Sequence, residues 1–340
     1  PIAGADAYAG RGLVYQNAFI YWFNHFPEKD YAGPRYEVAD GAIVVGGGLA
    51  SIDVMKALQI EAVRQALAAR GIVEDAIHLE HEGLAAGLAA HGLTWEQLGL
   101  RGATLYYRRR LEDMPLTDIP EDADAARRAK FELTRRRILE KAMQKYGFHV
   151  RPLMAPAGLL VEGDRLVGLR FQHTRVENGQ AVPVPGEVED VRAPLVVSSI
   201  GSIPEPMPGV AQDGPLYHYV DRELGRLEGY DTVFSTGNVV TGKGNILASR
   251  RHSIRVSTHV AERFLGLANG HQGEEALLEG AAAEAARQAT AVAGWVEARP
   301  ELAPAQREAL LARVTARQRA VGYDGRYREW IARVTPPDLA

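Results

Sequence analysis

The sequence predicts an α/β fold built on a doubly wound parallel sheet, and three observations predict it. Short apolar strand patterns alternate with longer helical ones along most of the chain, the order expected when crossover helices cover a parallel sheet. The stretch "AIVVGGGLASIDVMKAL", residues 42–58, runs a buried strand into three glycines and directly into a helix. A second apolar strand, "ATLYYRRR", follows after a helical region and ends abruptly in three arginines. With 340 residues and a prior of about 150 per domain, the chain is long enough for two domains, or for one with extensions.

Taken in order, residues 1–38 are rich in aromatics and glycine, show little periodicity and read as a connector. "GAIVVGGG" is a short strand, and "SIDVMKALQIEAVRQALAARG" places apolar residues at helical spacing. Residues 61–100 continue as polar helices, with turns at Gly71 and Gly92. After the "ATLYYRRR" strand, residues 122–146 form a basic helix. The pattern then changes to period two. "LLVEGDRLVGLRFQHTRV" is a hairpin turning on Gly163 and Asp164, and "VEDVRAPLVVSSIG" is a further strand. "DTVFSTGNVV" reads as a buried strand leading into the loop "TGKGN" and a helix over residues 246–266. Residues 269–340 are rich in alanine, glutamate and arginine, and form helices broken at Pro300 and Pro304.

Composition removes whole classes of chemistry. The chain has no cysteine, so it cannot form a redox disulfide, ligate an iron–sulfur cluster or build a thiolate zinc site. A net charge of -4 gives no general reason to expect nucleic acid as a partner, and no apolar run is long enough to span a bilayer. A cytoplasmic protein is expected.

The glycine stretch is the first candidate site. In a strand–turn–helix nucleotide site the first glycine allows the tight turn and the second lets backbone approach a pyrophosphate. The third position must be small so that helix packs on strand. Gly46, Gly48 and Ser51 fit that spacing, and a plain packing turn fits it equally well. The arginines decide between the two readings. A ribose 2′-hydroxyl is read by a carboxylate at the end of the next strand, whereas a 2′-phosphate needs cations there. Arg108, Arg109 and Arg110 stand at that strand end with no carboxylate before Glu112. Each charge-assisted bond to phosphate is worth about 1.5–3 kcal/mol, so two of them favour NADPH over NADH by about two to four orders of magnitude.

Other constellations carry less. "HLEHEG" holds His78, Glu80, His81 and Glu82, but no matching ligand set stands elsewhere, and a surface helix end is expected. Arg250, Arg251 and His252 are expected to face a phosphate or a flavin, or equally to lie on a helix surface. Tyr15, Trp22, Phe23 and Phe26 are expected in core packing rather than against a ring ligand. No Ser, His and Asp arrangement with recognisable local context is present.

Five segments in this order, "PIAGADAYAGRGLVYQNAFIYWFNHFPE", the glycine turn with "SIDVMKAL", "YYRRRLEDMP", "APLVVSSIG" and "FSTGNVVTGKGN", resemble the two-dinucleotide-domain flavoproteins. The likeness is to the adrenodoxin reductase and ferredoxin–NADP reductase group and to the small subunit of glutamate synthase, and it covers residues 1–268. It implies a Rossmann-like NADPH domain inserted in the remainder of an FAD domain, followed by a helical C-terminal extension. The implied parts are a connector over 1–38, the NADPH domain over 39–194, the C-terminal part of the FAD domain over 195–268, and the extension over 269–340. Hydride would pass from NADPH to FAD, then electrons to an iron–sulfur acceptor.

By the same resemblance Gly46, Gly47, Gly48, Leu49, Ala50 and Ser51 hold the pyrophosphate, and Arg108 and Arg109 take the 2′-phosphate. Gly201, Gly237, Asn238, Gly244, Asn245 and Ile246 lie on the flavin side. The basic helix, residues 127–141, would dock an acidic iron–sulfur carrier. No protein acid or base is required for the hydride, so no catalytic side chain is assigned. The chain departs from the family at Asn238, where many relatives carry Asp. The flavin half's own glycine turn would have to come from an upstream segment or a partner chain, or FAD is not bound. The competing expectations are a glutamate-synthase-like electron-input subunit and a non-catalytic nucleotide-binding subunit.

Overall fold

Ile43, Val44 and Val45 are β-branched and stiff at χ1, which suits a pleated strand buried on both faces. In the computed structural model they form β2 (Ile43–Gly46), the centre of a five-stranded sheet. The structure describes residues 2–120, 122–201, 203–214, 216–242, 246–264 and 274–335. The other strands are β1 (Leu13–Tyr15), β3 (Thr104–Tyr107), β4 (His149–Pro152) and β8 (Val196–Ser199). Their order is β1-β8-β2-β3-β4, and every neighbouring pair is parallel. From β2 the chain moves one way to β3 and β4, while β8 and β1 fill the other side. The C-terminal end of β2 is therefore a topological switch point, where open α/β sheets bind ligands.

Side chains alternate across this sheet as the period of two requires. Val14, Val44, Leu105, Tyr107 and Val197 enter a helical core. It is closed by α1 (Gln16–His25), α2 (Leu49–Ala68), α3 (Ala76–Glu82), α4 (Leu84–Ala89), α5 (Trp95–Leu98) and α6 (Ala125–Tyr146). Leu13, Ile43, Val45, Tyr106 and Val196 enter a second core with Met154, Leu166, Leu169 and Phe171. Those partners belong to an antiparallel meander, β5 (Met154–Glu162), β6 (Arg165–Glu177) and β7 (Gln180–Arg192). Tyr106 stacks on Phe171 with ring centroids 4.2 Å apart. The parallel sheet is as expected, but its second face is covered by this meander and not by helices.

Three readings of the sequence change. The stretch read as a connector contains β1 and α1, with Phe19 and Trp22 in the helical core. The strand read as "VEDVRAPLVVSSIG" is two strands, because Pro194 has no N–H to donate and separates β7 from β8. "DTVFSTGNVV" is not a buried strand. Only Phe234 makes a bridge, to Arg226, and Asp231, Thr232 and Val233 are exposed. Its strand neighbour among the described residues is the two-residue strand Arg226–Leu227, which runs antiparallel to it, so the segment joins no parallel sheet. The stretch ends in α7 (Asn238–Thr241), and α8 (Ile246–His259) continues into a wider π-helical turn, Val260–Phe264.

The turns at Gly71 and Gly92 are where the sequence put them, as is the Gly163–Asp164 hairpin. The chain divides into two units between Thr258 and His259. The second holds α9 (Glu274–Glu297), α10 (Pro304–Ala320) and α11 (Tyr327–Val334), with Pro304 at the first turn of α10, where a missing N–H costs nothing. Among the described residues no helix is long and apolar enough to cross a membrane.

Candidate nucleotide site

The three glycines after β2 have different reasons to be glycine. A Cβ on Gly46 would run into the Ser199 carbonyl oxygen of β8 and the Ser51 hydroxyl, and one on Gly47 would enter the Tyr107 ring. A Cβ on Gly48 would meet nothing within 4 Å. The first two glycines let backbone and side chains close up, and the third leaves open space at the start of α2. Gly48 is the N-cap of that helix, no side chain caps it, and its first turn holds no carboxylate. Unfilled first-turn amides and the positive end of the helix dipole make this an anion site in waiting.

Ser51 serves a different purpose from the one the resemblance gives it. Its side chain is 1% exposed, and its hydroxyl donates to the Ser199 carbonyl at 3.2 Å and lies 2.9 Å from the Ser199 hydroxyl. It ties α2 to β8, so the side chain faces the sheet. Leu49 and Ala50 stand in the first turn, beside the open space.

The contact of Gly47 with Tyr107 puts the glycine turn next to the end of β3, where the arginines begin. Tyr107 is buried, which raises its phenol pKa, and its hydroxyl donates to the Asp113 carbonyl at 2.9 Å. The three arginines then separate. Arg110 is spent on Asp113, through Nε at 3.0 Å and Nη2 at 2.9 Å, and that pairing holds the Asp113 carboxyl below its usual range. Arg109 donates only to neutral oxygens: the Tyr107 hydroxyl at 3.0 Å, the Gly179 carbonyl at 3.2 Å and the Asp113 carbonyl at 3.3 Å. Arg108 is exposed, and among the described residues no carboxylate pairs with it or with Arg109. A cleft of about 300 Å³ lies beside Arg108 and Arg109, and its other wall is the meander, through Ala155, Thr174, Gln180, Ala181 and Pro183. No carboxylate lines it.

These residues fit a dinucleotide carrying a 2′-phosphate: an open helix start at the switch point, two uncompensated guanidinium groups one strand over, and a neutral cleft beside them. Among the described residues, the flavin-side positions form no comparable site. Gly201 follows β8 with φ +109°, Asn238 opens α7, and Ile246 opens α8 with 85% of its surface exposed. The Gly237 N–H is already donated to His252 Nδ1 at 3.0 Å, which leaves the ring's Nε2 to donate to the Glu223 carbonyl at 3.1 Å. His252 is thus a buried clamp between α8 and the turn before α7. Gly244 and Asn245 lie outside the described residues.

The remaining candidates resolve plainly. Trp22 and Phe23 are buried, and Trp22 stacks on Phe26 at 4.8 Å, so these aromatics are core. In "HLEHEG", His78 pairs with Glu74 at 3.0 Å and Glu80 with Lys56 at 2.8 Å. Among the described residues no cluster of His and carboxylates is arranged to hold a metal. On α6, Arg136 pairs with Glu112 and Arg135 is half-buried against backbone carbonyls. Arg127, Lys130, Arg137 and Lys141, at helical spacings of three, seven and four, form one exposed stripe. Glu132 falls on another face of the helix, and Glu140, three residues after Arg137, borders the stripe. Sequence reasoning missed Tyr107, Thr174 and Gln180, because nothing local marks a meander strand as a neighbour of β3.

No protein-family model matches the chain. It is 25% identical over 276 residues to the mitochondrial NADPH:adrenodoxin oxidoreductase of Mus musculus, a match that covers 70% of this chain and 53% of that protein. The chain thus spans about half the length of the curated relative it matches. Among solved structures it resembles Mycobacterium tuberculosis FprA in complex with NADPH, with a TM-score of 0.51 at 19% identity, covering 76% of this chain and 60% of that one. An FprA structure with a covalently modified NADP+ matches with the same score, identity and coverage. Over the matched three-quarters of its length, the chain has the fold of the two-dinucleotide-binding-domain oxidoreductases, and its sequence is similar to that of their adrenodoxin reductase branch.

Proposed function

We propose that this chain binds NADPH and is the NADPH-oxidising part of an FAD-dependent oxidoreductase that passes electrons to an acidic iron–sulfur carrier. The observation that carries the reading is the pair of guanidinium groups, Arg108 and Arg109, without carboxylate partners beside an uncapped helix start. In this reading residues 39–194 are the nucleotide domain, and the amides following Gly48 receive the pyrophosphate. Arg108 and Arg109 receive the 2′-phosphate, while Gly46, Gly47 and Ser51 hold the turn in shape. Bound NADPH and flavin supply the hydride chemistry. The chain's own residues bind, orient and screen, and no side chain is asked to move a proton.

In this reading the glycine turn after β2 serves NADPH. Residues 195–268 would contribute Gly201, Asn238 and Ile246 to a site finished by a partner chain or another segment. Ile200, Ile203, Ile246 and Leu247 are each exposed by 46% or more, apolar side chains that such a partner would cover. The stripe of Arg127, Lys130, Arg137 and Lys141 would steer the acidic carrier, raising the rate of encounter more than the affinity. The engaged Gly237 amide favours a second reading, a nucleotide-binding subunit without flavin. Purified protein with flavin absorbance supports the first reading, and colourless protein that binds NADPH supports the second.

The nucleotide reading is tested by titrating the protein with NADPH and NADH. Replacing Arg108 and Arg109 with alanine is expected to remove a preference for NADPH of about two to four orders of magnitude while sparing NADH. Equal losses with both coenzymes refute it.

A further inference from the structure

The cleft beside the arginines has a second wall whose position is built, not incidental. The β6–β7 ladder runs in register up to Gln172, paired with Val188, and resumes at Thr174, paired with Pro183, so Val184–Glu187 bulge out. Bulges re-aim the strand beyond them. The Gln172 carboxamide stabilises this one by donating to the carbonyls of Val184 at 2.5 Å and Glu187 at 2.8 Å. Beyond it the hairpin closes between Glu177 and Gln180 on the two-residue turn Asn178–Gly179, with φ of +49° and +75°, the primed geometry that matches strand twist. The re-aimed tip reaches the end of β3 at two points. The Thr174 hydroxyl donates to the Arg108 carbonyl at 2.7 Å, and the Gly179 carbonyl accepts from Arg109 Nη1 at 3.2 Å.

We propose that this hairpin tip is the far wall of the 2′-phosphate site, and that Gln180 is a specificity-determining residue for the phosphorylated coenzyme. The inference rests on the NADPH reading. Gln180 is exposed, follows the glycine whose carbonyl orients Arg109, and lines the same cleft as both arginines. Among the lining residues Gln180 alone carries a side-chain amide, beside two alanines, a proline, the two arginines and Thr174, whose hydroxyl is already donated to the Arg108 carbonyl. The terminal oxygens of a phosphomonoester offer more lone pairs than two bidentate guanidinium groups fill, and a neutral amide adds a donor without the charge that would also attract unphosphorylated anions.

The test measures binding of 2′,5′-ADP and 5′-AMP to the 340-residue chain by calorimetry. Gln180→Ala is expected to weaken 2′,5′-ADP about tenfold. Gln180→Glu, of equal size but an anionic acceptor, is expected to weaken it further. Affinity for 5′-AMP, the internal control for folding, stays within about twofold. If Gln180→Glu leaves the ratio of the two ligands unchanged while Arg109→Ala lowers it, the inference is overturned and the NADPH reading stands. If neither substitution changes the ratio, the NADPH reading itself fails and the inference falls with it.

Discussion

Gly46 and Gly48, two residues apart, illustrate what single residues decide here. Gly46→Ala forces a Cβ against the Ser199 carbonyl, so the variant is expected to lose about 1–3 kcal/mol of stability in a urea titration. Gly48→Ala fills open space at φ -89°, so its melting temperature should match wild type while its NADPH affinity falls. A stable Gly46→Ala, or a Gly48→Ala with unchanged affinity, contradicts these roles. Glu74 gives a pH dependence. Hydrogen bonds from His91 at 2.6 Å and His78 at 3.0 Å outweigh its desolvation and hold its carboxyl down to about 2, against 4.5 ordinarily. Because the folded value is the lower one, the stabilisation is present above about pH 4.5 and is lost as pH falls towards 2. Wild type should therefore exceed Glu74→Gln in stability at pH 5, with the gap closing by pH 2; a gap that persists in acid would exclude this cause. Gly46, Gly48, Arg108 and Arg109 were legible in the sequence because each type is tied to a local rule of backbone or charge. Ser51 was legible as a small residue but not in its direction, since that depends on Ser199, far along the chain.

At the scale of elements, α6 and the loop before it form one unit. Arg135 donates through Nε and Nη2 to the Thr117 carbonyl and through Nη1 to that of Glu112. Burial lowers its pKa, and the guanidinium remains charged. Arg135→Met leaves those carbonyls without donors and is expected to cost about 1–3 kcal/mol. The same change should blunt NADPH selectivity, because the loop it loosens supplies the Asp113 carbonyl that holds Arg109. Unaltered stability and selectivity in urea and coenzyme titrations would dissociate the loop from the site. Long, strongly patterned elements were legible: α2, α6, α8 and the β5–β6 hairpin all lie where periodicity and turn residues put them. β1 was not, because three residues carry too little pattern to separate a strand from a loop. The buried Gln59 was equally silent in sequence, although its carboxamide accepts from Ala103 N–H and donates to the carbonyls of Tyr146 and Gly147, joining α2 to β3 and α6. The error at "DTVFSTGNVV" has the opposite origin. Its composition suits a strand, but strand formation is settled by neighbours, and among the described residues only the two-residue strand Arg226–Leu227 bridges it.

For the whole molecule, the parallel sheet was legible from the alternation of patterns, and the meander on its second face was not. The hairpin "LLVEGDRLVGLRFQHTRV" was recognised as local structure, but nothing in it states which layer it covers. That placement brings Thr174 and Gln180 to the arginines and completes the proposed nucleotide cleft from three separate parts of the chain. The second unit, α9 to α11, contributes none of the residues assigned to the site. The central claim is that the helix start after Gly48 and the Arg108–Arg109 pair are two halves of one binding site for a 2′-phosphorylated dinucleotide. A crystal structure of the protein with NADPH tests it most directly. The account predicts the pyrophosphate against the amides of Gly48, Leu49 and Ala50 and the 2′-phosphate between Arg108 and Arg109. NADPH bound elsewhere, with this cleft empty, would contradict it.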